Sequence, residues 1–343
     1  VIRLLEELPE AERSLVKGEE FPEWTSPMLA TLTHAPFSDP DWIYERKLDG
    51  VRLLVFRKDG RVRILSRNRK EQGNTWPGLV DALERGNGVD LVADGEVVAF
   101  EGNVTSFSRL QGRMQIKDEE EAREKAREIR AYLYLFDLLH LDGQDLTGLP
   151  LRTRKRILRE VLEWEDPIRY TPHRVEEGET YLRNACERGW EGLIAKEAEG
   201  NYVHGRSRSW LKFKCSNRQE LVVGGWTDPE GERKGLGALL VGYHEDGALR
   251  YAGKVGTGYT DRVLERLISR LGDLERDASP FAGDDLPEDG VHWTEPELVC
   301  EVGFTEWTED GKLRHPRFLG LRKDKDPEDV VRERPEGKPE EAA

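Results

Sequence analysis

Lys47 stands in Tyr44-Glu45-Arg46-Lys47-Leu48-Asp49-Gly50-Val51-Arg52, at the head of the apolar run Leu53-Leu54-Val55-Phe56. An amine followed two residues on by Asp-Gly and five residues on by Arg suits attack on a nucleotide phosphate. That amine must first lose its proton. A free lysine titrates at about 10.4, so it becomes a nucleophile near neutrality only where burial or neighbouring cations depress that value. The pattern therefore predicts positive neighbours around Lys47. Taken alone, it fits equally well an exposed Lys-Asp ion pair before a strand and a turn.

Four more segments carry paired chemistry. In residues 91–100 an acidic Asp94-Gly95-Glu96 turn is expected to interrupt two β-prone apolar runs. Tyr132-Leu133-Tyr134-Leu135-Phe136-Asp137-Leu138-Leu139 reads as a strand with an aromatic beside an acid. Glu191-Gly192-Leu193-Ile194-Ala195-Lys196 and Trp210-Leu211-Lys212-Phe213-Lys214 follow, and strand alternation in the last puts Lys212 and Lys214 on one face. Each segment alone fits a solvated strand edge.

In this order, and joined by Gly224-Gly225-Trp226-Thr227-Asp228-Pro229, Lys254-Val255-Gly256-Thr257-Gly258 and the Arg314-His315-Pro316 stretch running to Lys325, the segments resemble the covalent nucleotidyltransferase superfamily. That group comprises DNA ligases, RNA ligases and messenger-RNA capping enzymes. The chain is most similar to the ATP-dependent ligase domain of the bacterial non-homologous end-joining ligase D family, from about residue 24 to about residue 330. The resemblance implies an ATP-dependent DNA ligase. Lys47 would take AMP from ATP, pass it to the 5′-phosphate of nicked duplex DNA, and release it when the 3′-hydroxyl attacks.

The same resemblance implies roles for other residues. Lys212 and Lys214 would face the phosphate oxygens on which charge accumulates, and would favour the neutral form of Lys47. Glu191 would ligate Mg2+ or Mn2+, since triphosphate charge calls for a hard cation. Glu96 would accept a ribose hydroxyl with Arg52 nearby, and Phe136 would stack on adenine. Glu45 would accept from the adenine amino group. Lys196 would complete the nucleotide-binding set, and Arg67 would engage the nick phosphate. Arg314, Arg322 and Lys325 would close over pyrophosphate during the first step, about a hinge near residues 215–219. The family likeness extends to double-strand break repair with Ku and with polymerase or phosphoesterase modules. ATP is favoured over NAD because the zinc and helix-hairpin apparatus of NAD-dependent ligases is missing from the sequence. Two other enzymes share the lysine chemistry, an RNA ligase and a capping-type guanylyltransferase; a non-catalytic OB-containing nucleic-acid-binding scaffold is the reading outside enzymes.

These residues need elements to hold them. With 343 residues, 37% of them hydrophobic, the chain can build two or three ordinary cores. The pattern predicts an α+β architecture: a domain at 24–217, which the resemblance implies is the nucleotidyltransferase (adenylation) domain, then a C-terminal OB-fold β-barrel domain at 218–330. Residues 1–23 read as a flank or linker with a helix over 4–16, and 331–343 as a disordered tail or linker. Helices are expected at 75–85, 119–130, 151–164, 178–188 and 260–271. Short strands at 220–226, 238–243, 248–254 and 298–305 suit the barrel. A first residue of Val rather than Met fits a segment excised from a longer polypeptide.

No apolar run approaches the roughly 20 residues that span a bilayer, and the N-terminus has no basic-then-apolar signal pattern. The reading is a cytoplasmic, nucleoid-associated monomer. Cys186, Cys215 and Cys300 are scattered and odd in number, so they are read as buried or incidental thiols rather than a disulfide framework or zinc site. The formal charge of -15 looks wrong for a DNA-binding protein. The acids, however, concentrate at Glu119-Glu120-Glu121, in a loop at 284–289 and in the last dozen residues, whereas cations cluster at 61–70, 196–214 and 314–325. A cationic groove on an acidic body follows, with ordinary mixed-charge surfaces as the simpler alternative.

Overall fold

Alternating burial builds two sheets that face each other in the first part of the chain. In Trp42–Arg46, Trp42 and Tyr44 pack with Leu193, Ala195, Leu211 and Phe213 on one face, which turns Ile43 and Glu45 to the other. The computed structural model describes residues 2–86, 88–114, 116–229, 235–283, 286–287 and 290–336, without the side chains of Ile2 and Arg262. The five-stranded sheet runs His173–Val175, Trp42–Arg46, Gly192–Glu197, Gly205–Lys214, Met28–Thr33. Its outer face is covered by the helix Gly178–Glu187 through Tyr181 and Ala185.

The seven-stranded sheet has Val51–Lys58 between Arg61–Ser66 and Leu91–Val98, with Tyr132–Leu141 beyond. Val51, Leu53 and Val55 join Trp76, Leu79 and Leu110 under the covering helices, whereas Leu54 and Phe56 join Met28, Phe136 and Trp210 between the sheets. Arg52 therefore points into the space between the sheets, as do Asp94 and Glu96, which share a face with Val92.

Several expectations are corrected here. Asp94-Gly95-Glu96 is no turn: Leu91–Val98 is one continuous strand, and irregular register against Tyr132–Leu141 at Asp94/Gly95 absorbs the glycine. The N-terminal flank belongs to the fold, because Leu8 is a core residue and Lys17–Gly18 pairs with Gln144–Asp145 at a sheet edge. Its expected single helix is two short ones, Ile2–Glu6 and Glu10–Arg13, separated at Pro9. The helix Phe107–Met114 was not anticipated; the Asp49 carboxylate accepts from the amide of Phe107 at its start. Cys186 and Cys215 form a disulfide that joins the end of Gly178–Glu187 to the residue after Gly205–Lys214, and Cys300 is a buried free thiol.

Ser216–Glu333 forms a second compact unit, so the boundary falls two residues before the expected one. Its antiparallel sheet runs Ala248–Val255, Leu239–Glu245, Arg218–Thr227, Val291–Gly303, Glu275–Arg276, and Arg317–Leu321 also pairs with Val291–Gly303. Irregular register at Val223/Gly225, Val241/Gly242 and Glu301/Val302 bends the strands. The result is a curled half-barrel consistent with an OB fold, closed over by Leu267 and Leu271 of the helix Asp261–Gly272. The expected tail starts later than residue 331, because Gln219 bonds both Val331 and Glu333, and the Glu336 amide donates to the Leu32 carbonyl. The acidic loop at 284–289 and the end of the tail lie largely outside the described residues. No helix among the described residues is long and apolar enough to cross a membrane.

Candidate active site

The Lys-x-Asp-Gly segment is tied at three points. The Lys47 amide donates to the Gly192 carbonyl, the Asp49 amide to Thr105 Oγ1, and the Asp49 carboxylate caps Phe107. Gly50 passes so close to the neighbouring strand that a Cβ would sit 2.1 Å from the Val97 carbonyl oxygen. The lysine is thus held at the end of one strand and the start of another, at the mouth of the space between the sheets.

Lys47 Nζ meets Glu191 Oε1 at 2.5 Å, with the carboxylate buried. Burial alone would pull the lysine pKa down, but Glu191, with help from Glu96 and Asp49, overrides it and leaves Lys47 above the ordinary lysine value. The expectation of a depressed pKa is corrected: the Glu191 carboxylate dominates and favours the ammonium form of Lys47. Gly192 pairs across the sheet with Lys214 and Ile194 with Lys212, so Lys47 and Lys214 flank Gly192. A Cβ on Gly192 would lie 1.9 Å from the Phe213 carbonyl oxygen at φ +146°; only glycine lets the chain carry Glu191, Lys47 and Lys214 this close together.

Behind this mouth lies a buried charge cluster. Glu45 accepts from Lys155 Nζ at 2.5 Å and from Lys196 Nζ at 2.7 Å, and all three side chains are almost fully buried. Burial pushes the Glu45 carboxyl up, yet the two lysines outweigh it and hold the group below the ordinary carboxylate range. Burial pulls Lys196 down to about 8; Glu45 opposes this and Lys155 adds to it. Lys196 Nζ also sits 4.3 Å from the Phe136 ring centroid and 3.9 Å from that of Trp210.

These contacts bear on four expected residues. Glu45 is committed to two lysines and is not open to an adenine amino group, and Lys196 is committed to Glu45 in turn. Phe136 is buried between the sheets with Arg52 4.6 Å and Lys196 4.3 Å from its centroid. Arg52 lies across the strands from Glu96, but its guanidinium grips Asp94 through two 2.5 Å bonds and donates to the Met28 carbonyl. Tyr202 completes that group by donating to Asp94.

Other predicted residues are dispersed. Arg67 is half-buried in the turn after Arg61–Ser66. Arg322 is no free cation for pyrophosphate: it is buried within the second unit against Asp324, Glu301 and Glu220. Lys325 also pairs with Glu220, and Arg314 lies exposed beside Glu306.

Sequence reasoning missed Lys155, Arg154 and Tyr202. Arg154 forms a fully buried bidentate pair with Asp137 at 2.7 and 2.9 Å. A signal existed in the helix Leu151–Val161, where Leu151, Arg154, Lys155 and Leu158 fall at helical spacing and place two cations in an apolar stripe.

Among the described residues no group of three or more His, Cys, Asp or Glu side chains forms a ready-made metal site. Glu191 and Glu96, which both act on Lys47, are nonetheless hard oxygen donors at the mouth. One or two carboxylates completed by substrate phosphates are the usual setting for Mg2+, and the residues present fit that pattern.

Residues 27–214 match the family described as ATP dependent DNA ligase domain, and residues 232–325 match the ATP dependent DNA ligase C terminal region. The chain is 39% identical over 329 residues to the multifunctional non-homologous end joining protein LigD of Pseudomonas aeruginosa, covering 93% of this chain and 38% of that protein. It is also 39% identical over 319 residues to LigD of Mycobacterium tuberculosis, covering 90% of this chain and 40% of the relative. The chain therefore spans about two fifths of these relatives. A solved mycobacterial DNA ligase D complexed with ATP and MES superimposes with a TM-score of 0.63 at 35% identity, covering 90% of this chain and 98% of the other.

Proposed function

The chain belongs to the ATP-dependent DNA ligase family, and from that premise we propose that it seals 5′-phosphate/3′-hydroxyl nicks in duplex DNA through a lysyl-AMP on Lys47. The observation that carries the assignment is the Lys47–Glu191 pair at the mouth of the cleft, with Lys214 on the other side of Gly192. In the first step the neutral Lys47 amine attacks the α-phosphorus of ATP, an N–P bond forms, and the bond to the pyrophosphate oxygen breaks. Lys212 and Lys214 lower this barrier by facing oxygens whose negative charge grows in the transition state.

Lys47 reaches its neutral form only when the field of Glu191 is cancelled. A divalent cation such as Mg2+ or Mn2+, when bound by Glu191 with Glu96 beside it, would neutralise both that carboxylate and the triphosphate. Glu45 holds Lys155 and Lys196 in place, and Asp94 holds Arg52, so the floor of the cleft is rigid before nucleotide arrives. AMP then passes to the 5′-phosphate, with Arg67 as the residue assigned to the nick, and the 3′-hydroxyl displaces it. Arg314 and Lys325, whose partners are exposed or half-exposed acids, remain the second unit's candidates for pyrophosphate.

Because the full-length relatives are end-joining proteins by name, the pathway we propose is double-strand break repair inside the cell. Ku and polymerase or phosphoesterase modules are the partners of that pathway. Incubation with ATP labelled on the α-phosphate tests the reading. Wild-type protein should become labelled on lysine and should then seal a nicked duplex, whereas Lys47→Ala should fold normally and take up no label. Labelling by GTP in preference to ATP would overturn it in favour of a capping-type enzyme, and no labelling by either would leave only a binding scaffold.

A further inference from the structure

On the far side of the seven-stranded sheet from Lys47, under the covering helices, a cavity of about 260 Å3 is lined by Gly78, Leu79, Arg113, Arg130, Tyr132 and Asp166, among others. Arg113 is 4% exposed. Two of its nitrogens donate to backbone carbonyls, of Ile129 at 3.1 Å and of Thr75 at 3.4 Å, and its Nε has no hydrogen-bond partner. Burial, offset by no acid, pulls its pKa down to about 10. The guanidinium also lies 4.9 Å from the centroid of Trp76, whose own buried Nε1 is a second unpartnered donor.

A buried guanidinium facing only carbonyls and a ring is costly unless an anion joins it. Two other parts of the cavity wall favour negative charge. Gly78 and Leu79 open the eight-residue helix Pro77–Glu84, which has no side-chain cap; Pro77 lacks an N–H and the Leu79 and Val80 amides donate to the Trp76 carbonyl, so the Gly78 amide and the helix dipole are what this end offers to negative charge. Arg130 stands exposed at the rim. The acid of the cavity, Asp166, is bonded by Arg169 at 2.5 and 2.9 Å and so is already neutralised.

We propose that this cavity is a binding site for a free phosphate-class oxyanion, held by Arg113 and the Gly78 amide at the start of Pro77–Glu84, with Arg130 at its entrance. Planar guanidinium donors and a backbone amide match the oxygens of such an anion. The depth of Arg113 excludes the backbone of an intact duplex, which cannot leave its helix to enter. The site is separate from the Lys47 cleft, and the inference does not depend on the ligase reading.

Hydrogen exchange resolved along the chain tests it, with the full chain in inorganic phosphate against chloride at matched pH and ionic strength. Phosphate should slow exchange at least threefold in Pro77–Glu84 and Phe107–Met114, and nicked duplex DNA in chloride should not. Gly78→Glu, at a position where an added Cβ meets open space, and Arg130→Glu should each remove the phosphate effect while ATP labelling of Lys47 is kept. Arg113→Met should do the same, and if it does not fold the other two variants decide. Absence of slowing in the wild type would mean that the cavity holds water only. Slowing that persists in Gly78→Glu and Arg130→Glu, or that duplex produces and phosphate does not, would likewise overturn the proposal.

Discussion

Lys47 Nζ lies 2.5 Å from Glu191 Oε1, so the proposed nucleophile is held in an ion pair that favours its protonated, unreactive form. Without nucleotide, the lysine should be acylated slowly by an amine-selective reagent compared with exposed lysines. Glu191→Gln removes the largest influence raising the Lys47 pKa while burial still lowers it. Each unit by which the pKa falls gives about tenfold more neutral amine at a fixed pH below it. Mass-spectrometric labelling of Lys47 from pH 7 to 10 should therefore rise by tenfold or more in Glu191→Gln. Equal labelling in the two proteins would show that the carboxylate does not control the amine.

Glu45 holds two buried lysines, and its removal leaves two charges without a counter-ion. Glu45→Gln should cost about 3–5 kcal/mol in urea unfolding, the range for breaking a buried pair from one side. Glu71→Gln, at the exposed Arg63–Glu71 pair, should cost no more than about 1 kcal/mol. The pH dependence has a definite sign. The folded Glu45 carboxyl titrates below its ordinary value, so its stabilisation is present above that value, about 4.3, and is lost as pH falls through the lower folded value. The gap between wild type and Glu45→Gln should narrow below about pH 4; a gap that stays constant with pH would contradict the ionised cluster.

Gly192→Ala places a Cβ 1.9 Å from the Phe213 carbonyl oxygen. The backbone there must move, and Glu191 and Lys214 on either side of the contact move with it. A stability loss of at least about 2 kcal/mol is expected from the strained conformation and clash, with ATP labelling reduced at least tenfold even in the folded fraction. A folded Gly192→Ala protein with wild-type labelling would show that the close strand approach does not set the site.

The Cys186–Cys215 disulfide closes a loop of 29 residues around Glu191, Gly192 and Lys214. In the chain-entropy view such a loop is worth roughly 3–4 kcal/mol, so dithiothreitol should lower the melting temperature of the wild type and leave Cys186→Ser unmoved. Thiol titration before melting provides the check. Three free thiols in the native, unreduced protein would refute the bond.

Much of this was legible in sequence because strands repeat every two residues. Lys212 and Lys214 could be put on one face, and Lys47, Glu191 and the Lys-x-Asp-Gly segment could be recognised, without knowing how the sheets meet. What could not be read depends on contacts between distant segments. Lys155 reaches Glu45 from 110 positions away, which turned an expected base-reading acid into a buried structural anion. The engagement of Arg322 was hidden for a similar reason: a cation in a family motif does not reveal whether acids of the same unit already hold it. The disulfide was missed because an odd count of three cysteines argues against pairing, whereas only the tertiary path brings Cys186 and Cys215 together.

A protein of net charge -15 that acts on DNA must separate its acids from its binding face. Cations facing phosphate release condensed counterions on binding, so nick affinity should fall steeply as salt rises. The proposed adenylation site has charges paired at short range and partly buried, as with Lys47–Glu191 and the Glu45 cluster, and screening acts weakly there. Sealing of a nicked duplex should thus be the salt-sensitive activity and self-adenylation the tolerant one across a potassium chloride series. An acidic exterior adapted to saline surroundings predicts the reverse, because screening of its self-repulsion would strengthen folding and with it sealing. Sealing that holds or rises while adenylation is unchanged would therefore rule out a cationic groove as the main grip on DNA.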